Sequence, residues 1–290
     1  MNINKVSIAL DCKNLIGESC FWDSKENCLI WTDIEGKTIW KLDESNQSFK
    51  FNLPDRAGFI LPRKKDGFII GFPKFIAISN QNFSSFEKIC DVEVSIKKTR
   101  INDAKVDPYG GIVFGTYNED PDKLNRKPIA NLYRLAPDLS LTHLLSNITV
   151  SNGLAFSQKD NIMYFADTPT GLIKKFSYNR DFKKIDELES NMIFKDIGEP
   201  DGATLDIDDN YWSAMVRGKC VICIDAKNGK IIEKIDLPTS TPTCVTFGNS
   251  DLSCLYVTSL RADPINDSAD GNLYKIKTGT QGLKQLLADF

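Results

Sequence analysis

Leu29-Ile-Trp-Thr-Asp33 is a short apolar strand whose pattern recurs along the whole chain. Its five counterparts are Phe68–Phe72, Ile112–Thr116, Met163–Asp167, Tyr211–Ala214 and Leu255–Ser259. The central residues of the six strands, Trp31, Ile70, Phe114, Phe165, Trp212 and Val257, follow one another at intervals of 39 to 51 residues. A period of about 40 to 50 residues is typical of β-propeller blades. The chain therefore contains six copies of one structural unit.

Each copy continues as a meander of antiparallel strands. A second strand follows each of the six, at Thr38–Leu42, Phe75–Ser79, Asn131–Leu135, Ile173–Ser177, Val221–Asp225 and Asn272–Ile276. Asp66-Gly67 and Gly110-Gly111 have the chemistry of tight turns. One such sheet cannot bury both of its faces alone, so six of them should pack around a central channel. The sequence predicts an all-β fold, a six-bladed β-propeller with four-stranded antiparallel blades, formed as a single domain by residues 1–290.

The composition describes an ordinary globular protein, with 41% hydrophobic residues and a formal net charge of -3. Lysine and arginine are scattered along the chain, which disfavours nucleic-acid binding. No apolar run approaches the roughly 18 to 20 residues that cross a bilayer, and the first 15 residues lack the features of a signal peptide. We therefore expect a cytoplasmic protein, a monomer or weak homo-oligomer, whose eight cysteines are free thiols.

Polar residues stand upstream of each repeat centre, where the innermost strand of a blade would border the channel. At 11 to 14 residues before the six centres are Glu18, Arg56, Asn102, Asn152, Asp201 and Thr243. Equivalent positions in successive blades should converge on the axis. Two carboxylates buried beside two amides are unfavourable without a cation. The sequence therefore predicts one divalent metal ion at the axis, held by oxygen ligands.

The donor types favour a hard ion. Carboxylate and amide oxygens, with no sulfur or imidazole, suit calcium, magnesium or manganese. Zinc with water completing its shell, or ferrous iron, stays open. The alternative interpretation is that the polar ring binds channel waters or caps strand ends in a propeller whose role is purely structural.

The residues around this ring resemble those of the regucalcin and gluconolactonase family, also called the senescence-marker and lactonase family. Gly17-Glu18, Trp22 and Ile30-Trp-Thr-Asp-Ile34 are similar to the first-blade motif of that family. Collinear matches follow at Arg100–Pro108, Ser151–Ser157, Tyr164–Pro169, Pro200–Trp212 and Pro242–Ser259. The resemblance spans nearly the whole chain and implies the same six-bladed fold.

The resemblance also implies roles for individual residues. Glu18, Asn152 and Asp201 match the metal ligands of the family. Arg100 and Asn102 match residues that hold the hydroxyls and ring oxygen of a sugar lactone, and Asp120 matches an acidic substrate contact. The chain departs from the family at Ser19-Cys20, where Gly-Pro is usual, and at Ala104, where Gly is usual. These departures remove no proposed ligand but leave the identity of the lactone open.

By this resemblance the chain is a metal-dependent hydrolase that opens an aldonolactone, such as gluconolactone or a pentonolactone, to the sugar acid. The metal would act as a Lewis acid, while Asp201 would deprotonate the attacking water or relay a proton from a water on the metal. Two alternatives are a calcium-binding regulatory propeller without turnover and a hydrolase of other esters at the same metal site. A propeller that binds partners through its outer surface is a third.

His143 is the only histidine and lies away from every ring position. A Ser-His-Asp triad would have to use this one residue, so serine-hydrolase chemistry is disfavoured. The expected partner is a small-molecule sugar lactone, with neither nucleic acid nor membrane.

Overall fold

The computed structural model describes residues 5–122, 125–157, 159–180, 185–261 and 269–290. Strands dominate this part of the chain, and the 3₁₀ turn Thr168–Thr170 is its one helical element. In chain order the strands are β1 (Val6–Leu10), β2 (Gly17–Asp23), β3 (Cys28–Asp33), β4 (Thr38–Asp43), β5 (Ser48–Asn52), β6 (Phe59–Pro62), β7 (Phe68–Phe72), β8 (Phe75–Ser79), β9 (Phe86–Asp91), β10 (Thr99–Val106), β11 (Ile112–Asn118), β12 (Ala130–Leu135), β13 (Leu141–Ile148), β14 (Ser151–Ser157), β15 (Ile162–Asp167), β16 (Leu172–Ser177), β17 (Glu187–Ile193), β18 (Glu199–Leu205), β19 (Tyr211–Val216), β20 (Cys220–Asp225), β21 (Lys230–Asp236), β22 (Pro242–Gly248), β23 (Cys254–Ser259) and β24 (Leu273–Lys277).

The strands form six four-stranded antiparallel sheets arranged in a ring, which confirms the predicted six-bladed propeller. Five sheets are consecutive meanders, β2–β5, β6–β9, β10–β13, β14–β17 and β18–β21. The sixth consists of β22, β23 and β24, and β1 supplies its outer strand, with Val6 opposite Ile276. This sheet joins the two ends of the described chain, so the ring is held closed by main-chain hydrogen bonds.

Burial follows the position of each strand in its blade. Every residue of β3, β7 and β23 is buried, because the second strand of a blade packs against neighbouring blades on both faces. The outermost strands, such as β5 and β21, are largely exposed. Apolar clusters fill the spaces between adjacent blades, for example where Phe59 of one blade contacts Phe114 of the next, with 6.3 Å between ring centroids. The repeat centres identified in the sequence are therefore the core.

Five of the six innermost strands share a β-bulge near their first residues. The ladder slips between Glu18 and Phe21 in β2, and β10, β14, β18 and β22 slip at the corresponding place. A bulge leaves residues unpaired and re-aims their side chains. Gly153, in the bulge of β14, has a φ of +67°, and a Cβ there would lie 2.7 Å from the Tyr211 hydroxyl. Such a position favours glycine.

The second blade differs from the other five. Its innermost strand β6 pairs with β7 in continuous register from Phe59 to Pro62. Arg56, which the repeat spacing placed in the ring, precedes this strand and binds Glu119 at 2.7 Å. The predicted equivalence of Arg56 with the ring residues is therefore wrong, because the second blade has a short innermost strand that begins after it.

The far end of the channel is covered by the segment 281–290, which we call the closing segment. Its Ala288 and Phe290 are buried, and Leu283 and Leu286 pack against the blade cores. Main-chain hydrogen bonds tie Ala288 to Pro62 and Asp289 to Gly110. A cavity of about 60 Å³ is left between this segment and the ends of β10, β14 and β18, and a groove of about 1040 Å³ runs along its other side, next to Tyr109 and Arg134.

All eight cysteines are free, as expected from the sequence. In the described part of the chain, no helix has the length and apolar character needed to cross a membrane.

Candidate active site

A cavity of about 250 Å³ opens on the axis at the end where the innermost strands begin. Five of the six ring residues predicted from the sequence line it, together with the predicted Arg100. The wall includes Glu18, Arg100, Asn102, Tyr117, Arg126, Asn152, Thr168, Glu199, Asp201, Arg217 and Thr243. These side chains come from five blades, and the shared bulges are what direct the ring residues into one space.

The two amides of the ring form one connected network. Asn102 donates from Nδ2 to Asn152 Oδ1 over 3.1 Å and to the Ser151 carbonyl over 3.0 Å. Asn152 donates from Nδ2 to the Thr168 hydroxyl over 2.8 Å, and Thr168 donates to the Pro200 carbonyl. This orientation leaves the Asn152 oxygen on the side of Asn102, where it can act as an acceptor or as a ligand.

The two carboxylates of the ring are poorly satisfied by the protein. Glu18 accepts one hydrogen bond, from the Ser19 amide at 3.0 Å. Asp201 is 7% exposed, and its buried Oδ1 has no hydrogen-bond donor among the described residues. Burial raises the pKa of both groups well above the usual range, and the charge of Glu18 raises the pKa of Asp201 further. Two carboxylates in this setting favour a cation or a proton between them.

Asp103 adds a third acid near the axis that sequence reasoning missed. It is 5% exposed and accepts a hydrogen bond from the Leu154 amide at 3.3 Å. Burial raises its pKa to about 6, and its charge contributes to the raised pKa values of Glu18 and Asp201. Its place directly after Asn102 did not distinguish it, because the bulge that contains both residues is seen only in the structure.

The residues present fit a hard divalent cation. Glu18, Asn152 and Asp201 offer only oxygen donors, and the unpartnered Asp201 oxygen is the kind of group that an ion satisfies. Within the described ranges, no group of three His, Cys, Asp or Glu side chains is placed to hold a metal. The candidate site therefore depends on an amide ligand, which is ordinary for calcium and unusual for a zinc cage.

Arg100 is fixed by contacts on several sides. Its Nη1 donates to Asn102 Oδ1 over 2.6 Å, and its Nε lies 3.4 Å from Glu119. The guanidinium lies over the Tyr117 ring, 4.7 Å from the centroid, because Tyr117 is its partner on the neighbouring strand β11. Glu119 is in turn held by Arg56, which therefore acts behind the wall and not in it.

Asp120 is not brought into the cavity wall. Its side chain is 25% exposed and pairs with Lys98 at 2.7 Å. Its main-chain carbonyl, in contrast, accepts two hydrogen bonds from Arg126, which does line the cavity. A substrate contact by the Asp120 carboxylate stays a prediction, and Arg126 is the residue of this loop that sequence reasoning missed.

His143 is exposed on β13, where its Nε2 lies 3.1 Å from the Ser146 hydroxyl and 3.3 Å from Asn131. It is not among the residues of the cavity wall. The cavity therefore presents carboxylates, amides and arginines, and its chemistry depends on charge and not on imidazole.

This fold and this wall define a class of protein, the six-bladed propellers with a polar cavity on the axis. A model of the SMP-30/Gluconolactonase/LRE-like region matches residues 16–261, and the chain belongs to this family.

Relatives of known name support the assignment. The chain is 30% identical to regucalcin of Danio rerio over 263 residues, which cover 89% of this chain and 88% of the relative. It is 30% identical to a 6-deoxy-6-sulfogluconolactonase of Pseudomonas putida over 250 residues, 86% of this chain and 84% of the relative. The solved structure of a luciferin-regenerating enzyme superposes with a TM-score of 0.90 at 28% identity, covering 98% of this chain and 99% of that one.

Proposed function

We propose that this protein is a divalent-metal-dependent lactonase that opens a sugar lactone to the corresponding sugar acid. The observation that carries the proposal is the meeting of Glu18, Asn152 and Asp201 in one cavity wall, with an Asp201 oxygen that has no donor among the described residues. Membership of the family and the likeness to a relative named as a lactonase support the reaction class.

Glu18, Asn152 and Asp201 would hold the ion, which when bound would supply Lewis-acid polarisation of the lactone carbonyl. Asp201 would accept a proton from the water whose oxygen attacks the carbonyl carbon. The bond between that carbon and the ring oxygen then breaks, and the same proton passes to the departing ring oxygen. The products balance as one hydroxy acid from one lactone and one water.

Arg100 and Asn102 would position the substrate. Arg100 is held by Tyr117, Glu119 and Asn102, so little side-chain freedom is left to lose when a ligand binds. Side chains that donate hydrogen bonds suit the hydroxyls of a sugar ring better than an acyl chain, which would need apolar surface. A pentonolactone or hexonolactone is the substrate that the size and polarity of the cavity favour.

The test is hydrolysis of a panel of aldonolactones by chelator-stripped protein, with calcium, magnesium, manganese, zinc or ferrous iron added back singly. We expect acid release that depends on one or more of these ions. The release is measured by titration with base at constant pH. Tight ion binding without turnover on any lactone would overturn the lactonase proposal and favour the regulatory calcium-binding alternative. Full activity in the chelated protein would overturn the metal dependence alone.

A further inference from the structure

Arg126 is a cavity residue to which the proposed mechanism gives no task. Its guanidinium lies 4.8 Å from the centroid of the Tyr117 ring, the same ring that Arg100 contacts. Its Nε and Nη2 both donate to the Asp120 carbonyl, at 3.1 and 2.9 Å. One edge of the planar guanidinium is thus occupied by a neutral acceptor, the Asp120 carbonyl. The ring of Tyr117 holds the guanidinium in place.

The other edge of Arg126 is available for binding. Among the described residues, its Nη1 has no hydrogen-bond acceptor and its charge has no carboxylate within ion-pair distance. The remaining edge of a guanidinium presents two parallel N–H groups, which match the paired oxygens of a carboxylate, phosphate or sulfonate. A residue that only tied its loop together would need the Asp120 carbonyl and Tyr117, and would not need to line the cavity.

The charges of the wall make Arg126 the unbalanced member. Three arginines and three carboxylates line the described cavity. Arg217 pairs with Glu199 at 2.7 Å, and Arg100 lies 3.4 Å from Glu119 behind the wall. Glu18 and Asp201 would be neutralised by the proposed divalent ion. Arg126 is left without an ion-pair partner in the wall; its charge helps to lower the pKa of the nearby Asp120, but that carboxylate lies outside the wall and is paired with Lys98.

From this geometry we propose that Arg126 binds an acidic substituent on the lactone, so that the substrate class is an anionic sugar lactone. The inference rests on the proposed lactonase function and names its substrate more closely. Arg126 is then a specificity residue, which contacts the substrate away from the carbonyl that reacts.

The test compares kcat/KM for glucono-1,5-lactone, which is neutral, with kcat/KM for its 6-phosphate and for glucaro-1,4-lactone, which carries a carboxylate. We expect the wild-type protein to prefer at least one anionic lactone by tenfold or more. Arg126→Gln should reduce that preference by about tenfold to a hundredfold, the range for losing a hydrogen bond to a charged group. Arg126→Lys keeps the positive charge but loses the two parallel N–H groups. Its preference for anionic lactones should lie between that of the wild type and that of Arg126→Gln.

Arg180→Gln is the matched control. Arg180 also lies over a tyrosine, 5.7 Å from the ring of Tyr109, but it borders the groove at the opposite end of the propeller. Its removal changes the net charge equally and should leave the preference within about twofold, since screening limits effects over such distances. An equal loss in Arg126→Gln and Arg180→Gln would contradict a direct contact.

The two proposals fail in different ways. Turnover of the neutral lactone without a preference for either anionic one overturns the role of Arg126 and leaves the lactonase proposal standing. If no lactone is hydrolysed, the lactonase proposal fails, and calorimetry with gluconate and 6-phosphogluconate then decides the role of Arg126. Tighter binding of the phosphate compound to the wild type than to Arg126→Gln supports that role, and equal or absent binding overturns it.

Discussion

The two ends of the central channel are built from the same innermost strands and differ in almost every physical respect. Where these strands begin, five of them bulge and place polar side chains around a cavity of about 250 Å³. Where they end, the ladders are regular and the closing segment packs across the strands, leaving about 60 Å³ between it and them. One end presents the carboxylates of Glu18 and Asp201 to the cavity, whereas the other buries apolar side chains such as Ala288 and Phe290. The comparison separates the candidate active site from a packed, apolar region within one set of strands.

The largest expected effect comes from exchanging one acid at each end. Asp201→Asn should lower hydrolysis by about a hundredfold to ten-thousandfold, the range for a missing general base, without lowering the stability of the metal-free protein. Stability should be preserved because the change removes repulsion between buried carboxylates. Initial rates and thermal unfolding of the chelated protein measure the two effects.

Asp206→Asn is the matched change at the far end. Asp206 is buried and accepts hydrogen bonds from the Asp208 and Asn210 amides and from the Trp212 indole. The Asp206→Asn variant should lose about 1 to 3 kcal/mol of stability, while its folded form keeps the hydrolytic activity. The contrast between the two ends would be refuted if Asp201→Asn unfolded the protein and Asp206→Asn abolished hydrolysis.

A second test concerns the closing segment. Phe290→Ala should reduce the free energy of unfolding by about 3 to 5 kcal/mol, because a buried aromatic side chain would be replaced by a cavity. Phe49→Ala, at a position that is 44% exposed on β5, should cost much less. Denaturant unfolding measures both. Equal effects of the two changes would show that the closing segment adds little to the fold.

The buried acid Asp103, close to the acids of the cavity wall, predicts how stability depends on pH. The pKa of Asp103 is about 6 in the folded protein against a reference of 3.8, so the folded state binds more protons between these values. The metal-free protein should therefore lose stability as pH rises from about 4 to 6, by up to about 3 kcal/mol from this group. Unfolding midpoints across this range measure the loss.

Asp103→Asn should make that dependence shallower, since an amide does not titrate, while the raised pKa values of Glu18 and Asp201 keep part of it. Asp138→Asn removes an exposed carboxyl at the far end and should leave the loss between about pH 4 and 6 in place, because hydrogen bonds from Ser140 lower the pKa of this group instead of raising it. A slope that survives Asp103→Asn unchanged would assign the dependence to other groups.

The smallest expected effects concern one residue of the cavity wall, Asn102, and one residue just outside it, Asp120. Asn102→Ala should raise KM by about tenfold with little change in kcat, if Asn102 holds the ground state and the transition state alike. Asp120→Asn should change either constant by less than about twofold, since Lys98 engages this carboxylate outside the wall. A loss of tenfold or more in Asp120→Asn would instead show that Asp120 contacts the substrate.

Much of the fold could be predicted from the sequence because its signals are local. A strand of apolar residues repeated six times, with turn residues between copies, requires neither long-range knowledge nor side-chain geometry. The ring at Glu18, Asn102, Asn152, Asp201 and Thr243 follows from the same period, since equivalent residues of a propeller face one axis. The family resemblance adds the expectation that three of these residues bind metal.

The wrong prediction that Arg56 belongs to the ring comes from the length of one strand. Counting residues back from a repeat centre assumes innermost strands of equal length, and β6 is the short one. Asp120 and Arg126 lie in the longest interval between repeats, where spacing carries no information about which side chain turns inward.

The sequence by itself determined the number of blades, the polar ring and the scarcity of histidine, because repetition and residue type can be read without coordinates. Only the tertiary structure decided that Asp103 lies close to the acids of the ring, that two arginines share Tyr117, and that the closing segment crosses the ends of the innermost strands. Each of these depends on a bulge, a loop or a distant segment whose partners are far away along the chain. Such contacts form only when the ring closes, so no local pattern records them.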